Sequence, residues 1–280
     1  MQLICKPGHQ QIFNEAAVDW LVENVGNPET LGQIDVIELD GITTTLEQTR
    51  YFCDLLVASG LKSHTSEIEG GWRLNLPQTW EELNSSLSKS MRRKTSKAVK
   101  RLSAPDVEIA STQSHSFDLL WEEFVSLHQK RRKRLGQPGC FADKNFEEFL
   151  KAATESMVAD GSAELIMLYK NGTPLATIHQ LFDDSCVHMY QSGVDPDRME
   201  LEPGYQIWVC AIKRAIENGF DEFDFLRGDE PYKKRWNTRR LPIVRKRFIP
   251  RTTVANLKHR IWLSAKTMKN YLTAPTEVLD

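Results

Sequence analysis

The stretch Glu202–Trp236, EPGYQIWVCAIKRAIENGFDEFDFLRGDEPYKKRW, sets a helix, a strand and a polar turn in succession with almost no slack. Pro203 suits the first turn of a helix, where a missing N–H costs nothing, and Gly204 leaves the backbone bare where helix N–H groups point outward. Such an end suits a phosphate. Ile207, Trp208, Ala211, Ile212, Ala215 and Ile216 recur at helical spacing, and Asn218-Gly219 is a stop signal. A strand follows at Phe220–Leu226, with Asp224 set between Phe223 and Phe225, and Arg227-Gly228-Asp229-Glu230-Pro231 breaks the run. An acid so placed is either paired or functional.

Outward from this stretch, the periodicity predicts a strand at Val107–Thr112, a helix at Phe117–Arg134 and a second helix at Asn145–Ala159. Three strands follow, Ala163–Tyr169, Pro174–Phe182 and Ser185–Gly193, separated by Asn171-Gly172 and Asp183-Asp184 turn signals and read as an antiparallel meander. A helical turn around Tyr232–Trp236 and a strand at Leu241–Phe248 complete the order β-α-α-β-β-β-α-β-α-β. Upstream lie a short helix at Ala16–Val25, a strand at Ile34–Leu39, a helix at Leu46–Ser59 and an extended piece at Lys62–Leu76. A long helix opening at Pro77 carries an apolar stripe opposite Lys89, Arg92, Arg93, Lys94, Lys97, Lys100 and Arg101, with no acid between Glu82 and Asp106. That face reads either as a solvated bridge or as a contact for phosphates. Val254, Leu257, Ile261, Ala265, Met268 and Leu272 mark a basic amphipathic tail helix, expected to dock on the body of the protein rather than on a membrane. The expected division is 1–76, a partial α/β lobe; 77–105, a basic linking helix; 106–250, the catalytic domain; and 251–280, the tail.

Composition bounds the function. With 36 Lys+Arg against 38 Asp+Glu the net charge is -2, so polyanion contacts must come from local patches. The five cysteines are scattered and never paired as CxxC, which favours reduced thiols in a cytoplasmic setting and argues against a zinc site; no metal is expected. No stretch approaches the ~20 apolar residues of a membrane span. No Ser-His-Asp pattern carries a nucleophile elbow.

The segments LPQTWEELNSSLSKSMRRKTSKAVKRL (76–102), LHQKRRKRLGQPGCFAD (127–143), SGVDPDRMELEPGYQIW (192–208) and GFDEFDFLRGDEPYKKRW (219–236) together resemble the CelD/BcsL-type acetyltransferases of the GNAT superfamily, which are similar in turn to the FemAB peptidyltransferases. The resemblance spans roughly Leu76 to Phe248. It implies a GNAT fold, a mixed and mostly antiparallel α/β sheet flanked by helices, preceded by a shortened GNAT-like N-terminal half. It also implies transfer of an acyl group, other than an aminoacyl group, from acetyl-CoA or another acyl-CoA to an amine on a small molecule, an amino sugar or a cell-surface polysaccharide precursor. Relatives rest the pyrophosphate on a glycine-rich loop before the helix that starts here at Pro203. This chain keeps only Gly204 of it, beside Tyr205, and sets Glu200 and Glu202 nearby. An aromatic-Lys motif of FemAB-like relatives matches Tyr232-Lys233.

Aminolysis of a thioester needs a deprotonated amine and a donor for the oxyanion. Lys233 suits the oxyanion, with an exposed basic turn as the plain alternative. Asp224 suits a general base if burial raises it, although an ion pair with an arginine such as Arg227 is the commoner fate. Glu230 is a second carboxylate, equally readable as a helix N-terminal acid. His179, His188 and Tyr190, on adjacent strands, are candidates for an acceptor pocket, as are Arg227 and Trp236, and Tyr232 for the donor side. The Lys130–Arg134 run suits a helix C-terminus and equally a phosphate. Two other readings stay open: a FemAB-like transferase using aminoacyl-tRNA, favoured by the basic helix, and a GNAT-like binding module without catalysis.

Overall fold

A computed structural model describes residues 8–25, 35–43, 47–68 and 70–273, with side chains to Met268. In chain order the elements are α1 (Gln10–Asn24), β1 (Ile37–Ile42), α2 (Glu47–Ala58), β2 (Lys62–Glu67), β3 (Gly71–Asn75), α3 (Trp80–Ser86), α4 (Lys89–Leu102), β4 (Val107–Ser111), α5 (Phe117–Arg134), α6 (Lys144–Ala159), β5 (Ala163–Lys170), β6 (Thr173–Phe182), β7 (Cys186–Val194), α7 (Pro203–Glu217), β8 (Glu222–Arg227), α8 (Pro231–Lys234), β9 (Arg239–Leu241), β10 (Val244–Ile249) and α9 (Thr253–Thr273). They form two compact units, Gly71–Leu241 and a second made of Met1–Gly70 with Pro242–Asp280.

The Gly71–Leu241 unit is built on a seven-stranded sheet of order β4-β5-β6-β7-β8-β3-β9. All neighbouring strands run antiparallel except β7 and β8. The mixed, mostly antiparallel sheet flanked by helices is the fold class the sequence implied. One core joins α7 (Ile207, Ala211, Ile212, Ala215), α4 (Met91, Ala98) and one face of the sheet (Ile166, Ile178, Phe223, Phe225). A second lies under α5 and α6, where Leu120, Trp121, Phe124 and Phe141 pack on Leu165 and Met167. Strands buried on both faces read as the near-continuous apolar run seen in β5.

Three sequence expectations change. The helix expected from Pro77 to Leu102 is two helices: Thr79 caps α3 by accepting from Glu82 N at 3.2 Å, Leu87 turns extended at ψ 157, and Ser88 caps α4 by accepting from Met91 N at 3.3 Å. Serine at an N-cap outcompetes its weak propensity inside a helix. The strand expected at Leu241–Phe248 is also two, because Pro242 has no N–H to give a ladder. β9 pairs with β3, while β10 is the central strand of a separate sheet, β1-β10-β2. In consequence 242–250 leaves the compact unit that holds β4–β8, and 71–105 joins it, because β3 pairs with β8 and α4 packs on α7.

The smaller unit buries Val18, Phe52, Leu56, Val244 and Phe248 between α1, α2 and one face of its sheet. Among the described residues no helix is long and apolar enough to cross a membrane.

Helix α5 lies unusually close to β7. A Cβ at Gly193 would sit 2.7 Å from the backbone N of His128 and 3.0 Å from the carbonyl carbon of Leu127, with no flexible side-chain end to give way. Gly193→Ala should therefore cost about 1–3 kcal/mol by overpacking, read as a lower thermal midpoint. At Gly204 a Cβ would meet only Val194 Cγ1 at 3.4 Å, so Gly204→Ala should leave the midpoint nearly unchanged.

Candidate active site

Strands β7 and β8 pair in parallel over three positions, Cys186↔Glu222, Val187↔Phe223 and His188↔Asp224, and then part, although β7 runs on to Val194 and β8 to Arg227. Two local features open this fork. In β7 the register against β6 passes from Gln180↔Met189 to His179↔Gln191, so Tyr190 is the extra residue of a bulge that bends the strand. In β8 Leu226 adopts φ 56, and its N–H donates to Asp224 Oδ1 at 2.8 Å, turning the chain out of the ladder. Beyond His188 and Asp224 the two strands are no longer paired with each other. Helix α7 starts beside it, with Gly204 against Val194. Clefts at the carboxyl ends of parallel strands are where sheets of mixed α/β proteins take ligands.

The acid and the cation of the decisive stretch both lie at the β8 side of the fork, and both are engaged. Asp224 is buried; its Oδ2 accepts from Arg73 Nη2 at 2.8 Å and Nε at 3.2 Å, and lies 3.8 Å from His188 Nδ1. Its partner is Arg73 on β3, in place of the Arg227 that the sequence suggests. Burial disfavours the Arg73 charge, yet the hydrogen bonds and charge of Asp224 outweigh it and hold the guanidinium proton more tightly than in water. Both oxygens of Asp224 are thus taken up by protein donors, Oδ2 by Arg73 and Oδ1 by the N–H of Leu226. Arg227 itself is exposed.

Lys233 is buried, not part of an exposed basic turn. Its ammonium donates to the carbonyls of Leu226 at 3.4 Å, Arg227 at 3.0 Å and Gly228 at 3.1 Å, and lies 2.9 Å from Glu230 Oε2. Three donors facing four acceptors leave nothing over for an oxyanion. Glu230 precedes α8 as its N-cap residue and remains half exposed.

At the head of α7 Glu202 is neutralised. Glu202, in the left-handed region at φ 54, accepts from Arg101 Nη1 at 2.9 Å and lies within 3.5 Å of Lys94 and Lys97. Burial works against its charge, but the two lysines outweigh that and hold the carboxyl below its usual range. The cationic face of α4 is thus in part bound internally. Tyr205 stacks on buried Trp236 with ring centres 5.6 Å apart and carries Lys94 over its other face at 4.4 Å; Tyr232 lies against Trp208 at 3.9 Å. These four aromatics hold α7 against α8 and the residues that follow it, with Lys94 of α4 over Tyr205.

The strand histidines separate. His188 stands at the throat of the fork with Nε2 2.9 Å from Asp183 Oδ2. His179 is fully buried on β6, between Phe124 and Tyr190; its Nε2 is 3.4 Å from Thr154 Oγ1 and its Nδ1 has no partner. Next to the β7 bulge, a cleft of about 270 Å³ is lined by His128, Arg132, Gln137, Gly139, Cys140 and Gln191. Burial pushes the His128 imidazole down, so it is neutral at pH 7, and its Nε2 lies 3.9 Å from Cys140 Sγ. Of the residues around this cleft the sequence points only to the Lys130–Arg134 run; His128, on the helix before it, carries no signal beyond apolar neighbours. A smaller cleft, about 180 Å³, is bounded by Arg73, Asn75, Glu82 and Asn237 at the opposite end of β8.

Among the described residues no group of three or more His, Cys, Asp or Glu is placed to hold a metal ion. Burial pushes His179 down to about 4, whereas in the unfolded chain it titrates near its ordinary value of about 6.5. The native state therefore binds fewer protons, and stability is lost as pH falls from about 6.5 to about 4, by up to about 3 kcal/mol. His179→Leu removes this term. Its thermal midpoint relative to the parent should rise steadily between pH 7 and pH 4; a gap that stays constant would show that the imidazole does not stay neutral.

A family profile described as acetyltransferase (GNAT) domain matches residues 85–234, more than half of the chain. A search by sequence among curated proteins found no match. Among solved structures the chain is similar to FemX, at 14% identity, with 83% of this chain and 77% of that one covered and a TM-score of 0.59. It is similar also to the C-terminal domain of a putative lysylphosphatidylglycerol synthetase from Agrobacterium fabrum, at 9% identity, 87% and 76% coverage and a TM-score of 0.57. L-PGS from Bacillus licheniformis aligns at 9% identity, 79% and 70% coverage and a TM-score of 0.53. At these identities the likeness is one of fold. The forked parallel pair lies inside the matched segment, and on that match the chain belongs to the GNAT acetyltransferase family, whose members are acyltransferases.

Proposed function

We propose that this protein is an N-acyltransferase that moves an acyl group from acyl-CoA, acetyl-CoA among them, to an amine. The observation that carries the reading is the parting of β7 from β8. A gap between two strand edges offers hydrogen bonds to an extended, amide-bearing arm such as the pantetheine of CoA, much as a strand added to a sheet would find them. The free amine attacks the thioester carbonyl, a C–N bond forms, and the C–S bond breaks with the thiol as leaving group.

The catalytic roles follow from which side chains retain capacity. Glu230 is the carboxylate best placed to take the amine proton, because it sits in the turn after β8 and faces solvent. Lys233 acts by fixing the 226–230 loop, and Asp224 by tying β8 to β3 through Arg73. His188 closes the throat of the fork. The cleft of His128, Arg132 and Gln191 beside the bulge is the acceptor side, and Arg132 suits an amine that carries an anionic group. The resemblance to CelD/BcsL-type enzymes supports an amino sugar or a polysaccharide precursor as acceptor. A reading as a FemAB-like, aminoacyl-tRNA-dependent transferase is favoured by the fold likeness to FemX and by Lys89, Arg92, Arg93 and Lys100 on α4.

Thermal unfolding with CoA, acetyl-CoA and longer acyl-CoAs separates the readings. A thioester at a hundred times its Kd should add about 2.7 kcal/mol of stability. No shift with any thioester at millimolar concentration, together with salt-sensitive binding of aminoacyl-tRNA, would transfer the assignment to the second reading. Once a donor is in hand, Glu230→Gln should lower kcat by roughly 10²–10⁴-fold with donor affinity nearly unchanged; equal losses in both would assign Glu230 to binding instead.

A further inference from the structure

Helix α9 is attached by one face only. Ala255 and His259 are buried, His259 meets His64 with ring centres 5.0 Å apart, and the Arg247 guanidinium of β10 lies 3.6 Å over the Trp262 ring. At 100° per residue these positions cluster on one side of the helix. Val254, Leu257, Ile261 and Met268 fall together on the other, and each is roughly 60% exposed or more: 64%, 59%, 61% and 65%. Ser264 and Ala265 fill the stripe between Ile261 and Met268 without breaking it. Lys258 borders the stripe on one side and Arg260 on the other. From Arg251 to Met268 the chain carries Arg251, Lys258, Arg260 and Lys266 and no aspartate or glutamate. Lys258 reaches Asp35 at 2.8 Å, and Lys266 lies over Trp262 at 5.2 Å.

We infer that this outward face of α9 binds an anionic lipid surface, lying in the plane of the interface with Val254, Leu257, Ile261 and Met268 turned into the acyl region. An apolar stripe bordered on both sides by cations is what a membrane-surface helix needs: the stripe gains by leaving water, and the cations gain from the negative surface potential. A second copy of this chain fits the same face poorly. A two-fold contact through α9 would bring the cations of one copy against the same all-cationic segment of the other, with no acid on it to pair with them. The inference rests on α9 and its packing, and does not depend on the chemistry assigned to the fork.

The test uses the full chain and sedimentation with extruded vesicles of phosphatidylcholine, alone or with about a third phosphatidylglycerol. Binding to the anionic vesicles should exceed binding to the neutral ones several-fold and collapse when salt is raised to about 0.5 M. Leu257→Glu with Ile261→Glu should lower the partition coefficient about tenfold or more. Lys258→Gln with Arg260→Gln should weaken binding to anionic vesicles and leave neutral ones unaffected. All four side chains are exposed and the Lys258–Asp35 pair is a surface one that contributes little to stability, so the thermal midpoints should stay close to the parent and exclude misfolding as the cause. Failure of the parent to bind anionic vesicles would overturn the inference. So would equal binding by the double-glutamate variant, or a micromolar dimer in light scattering that this variant disperses, which would give the face to a second copy.

Discussion

A single buried ammonium sets the shape of the site. The carbonyls of Leu226, Arg227 and Gly228 all turn toward Lys233 Nζ, and Glu230 completes the set. A lysine charge taken from water without partners costs several kcal/mol. The cheapest way to satisfy it is to bend the chain around it, and β8 does this, with Leu226 at φ 56 and Gly228 at φ 121. Carbonyls curled onto a lysine cannot also continue a ladder with β7, so the fork and the lysine are two views of one constraint. The charge that resembled a catalytic oxyanion donor is thereby the charge that holds the loop, and the carboxylate at its edge is left as the exposed chemical group.

How far the sequence could reach depended on how local each signal was. Helix α5 was legible residue for residue because a long apolar period ran from Phe117 to the basic cluster, and α7 because Pro203 and Asn218-Gly219 bracket it. The strands β5 to β7 were legible from their turn residues. Their flaws were not: alternation through Met189, Tyr190 and Gln191 looks regular in sequence, and only the register with β6 exposes the bulge. The place of Asp224 between two phenylalanines signals that it is paired, but its partner stands 151 positions upstream, on a strand whose sequence shows no break from the extended piece before it. Separation of that kind leaves no trace in composition or spacing.

The basic helix illustrates how a charge run misleads when its partner lies far off in sequence. Lys94, Lys97 and Arg101 share one face of α4 at i, i+3 and i+7, and in isolation that face reads as a polyanion contact. Glu202 meets all three, and Arg101 also donates to the carbonyl of Leu201. An acid at the head of α7, unfavourable beside a phosphate when taken alone, becomes the shared partner of three cations and anchors the start of that helix. What opposes an anion there is occupancy of the local cations more than the charge of Glu202.

The order of strands also constrains how the chain folds. Gly71–Leu241 is continuous, and every strand of its sheet comes from within it. The sheet of the smaller unit is not: among the described residues β1 and β2 are joined through β10, which is separated from β2 in sequence by the whole of the larger unit. Closing a loop of that size is slow and unrewarded until the last strand arrives. The larger unit can therefore reach its native pairing during synthesis, whereas β1 and β2 must wait with open edges until Val244–Ile249 is made. Polar and charged residues along β2, KSHTSE, suit an edge that waits, because an apolar edge left unpaired for that long would invite pairing with another chain.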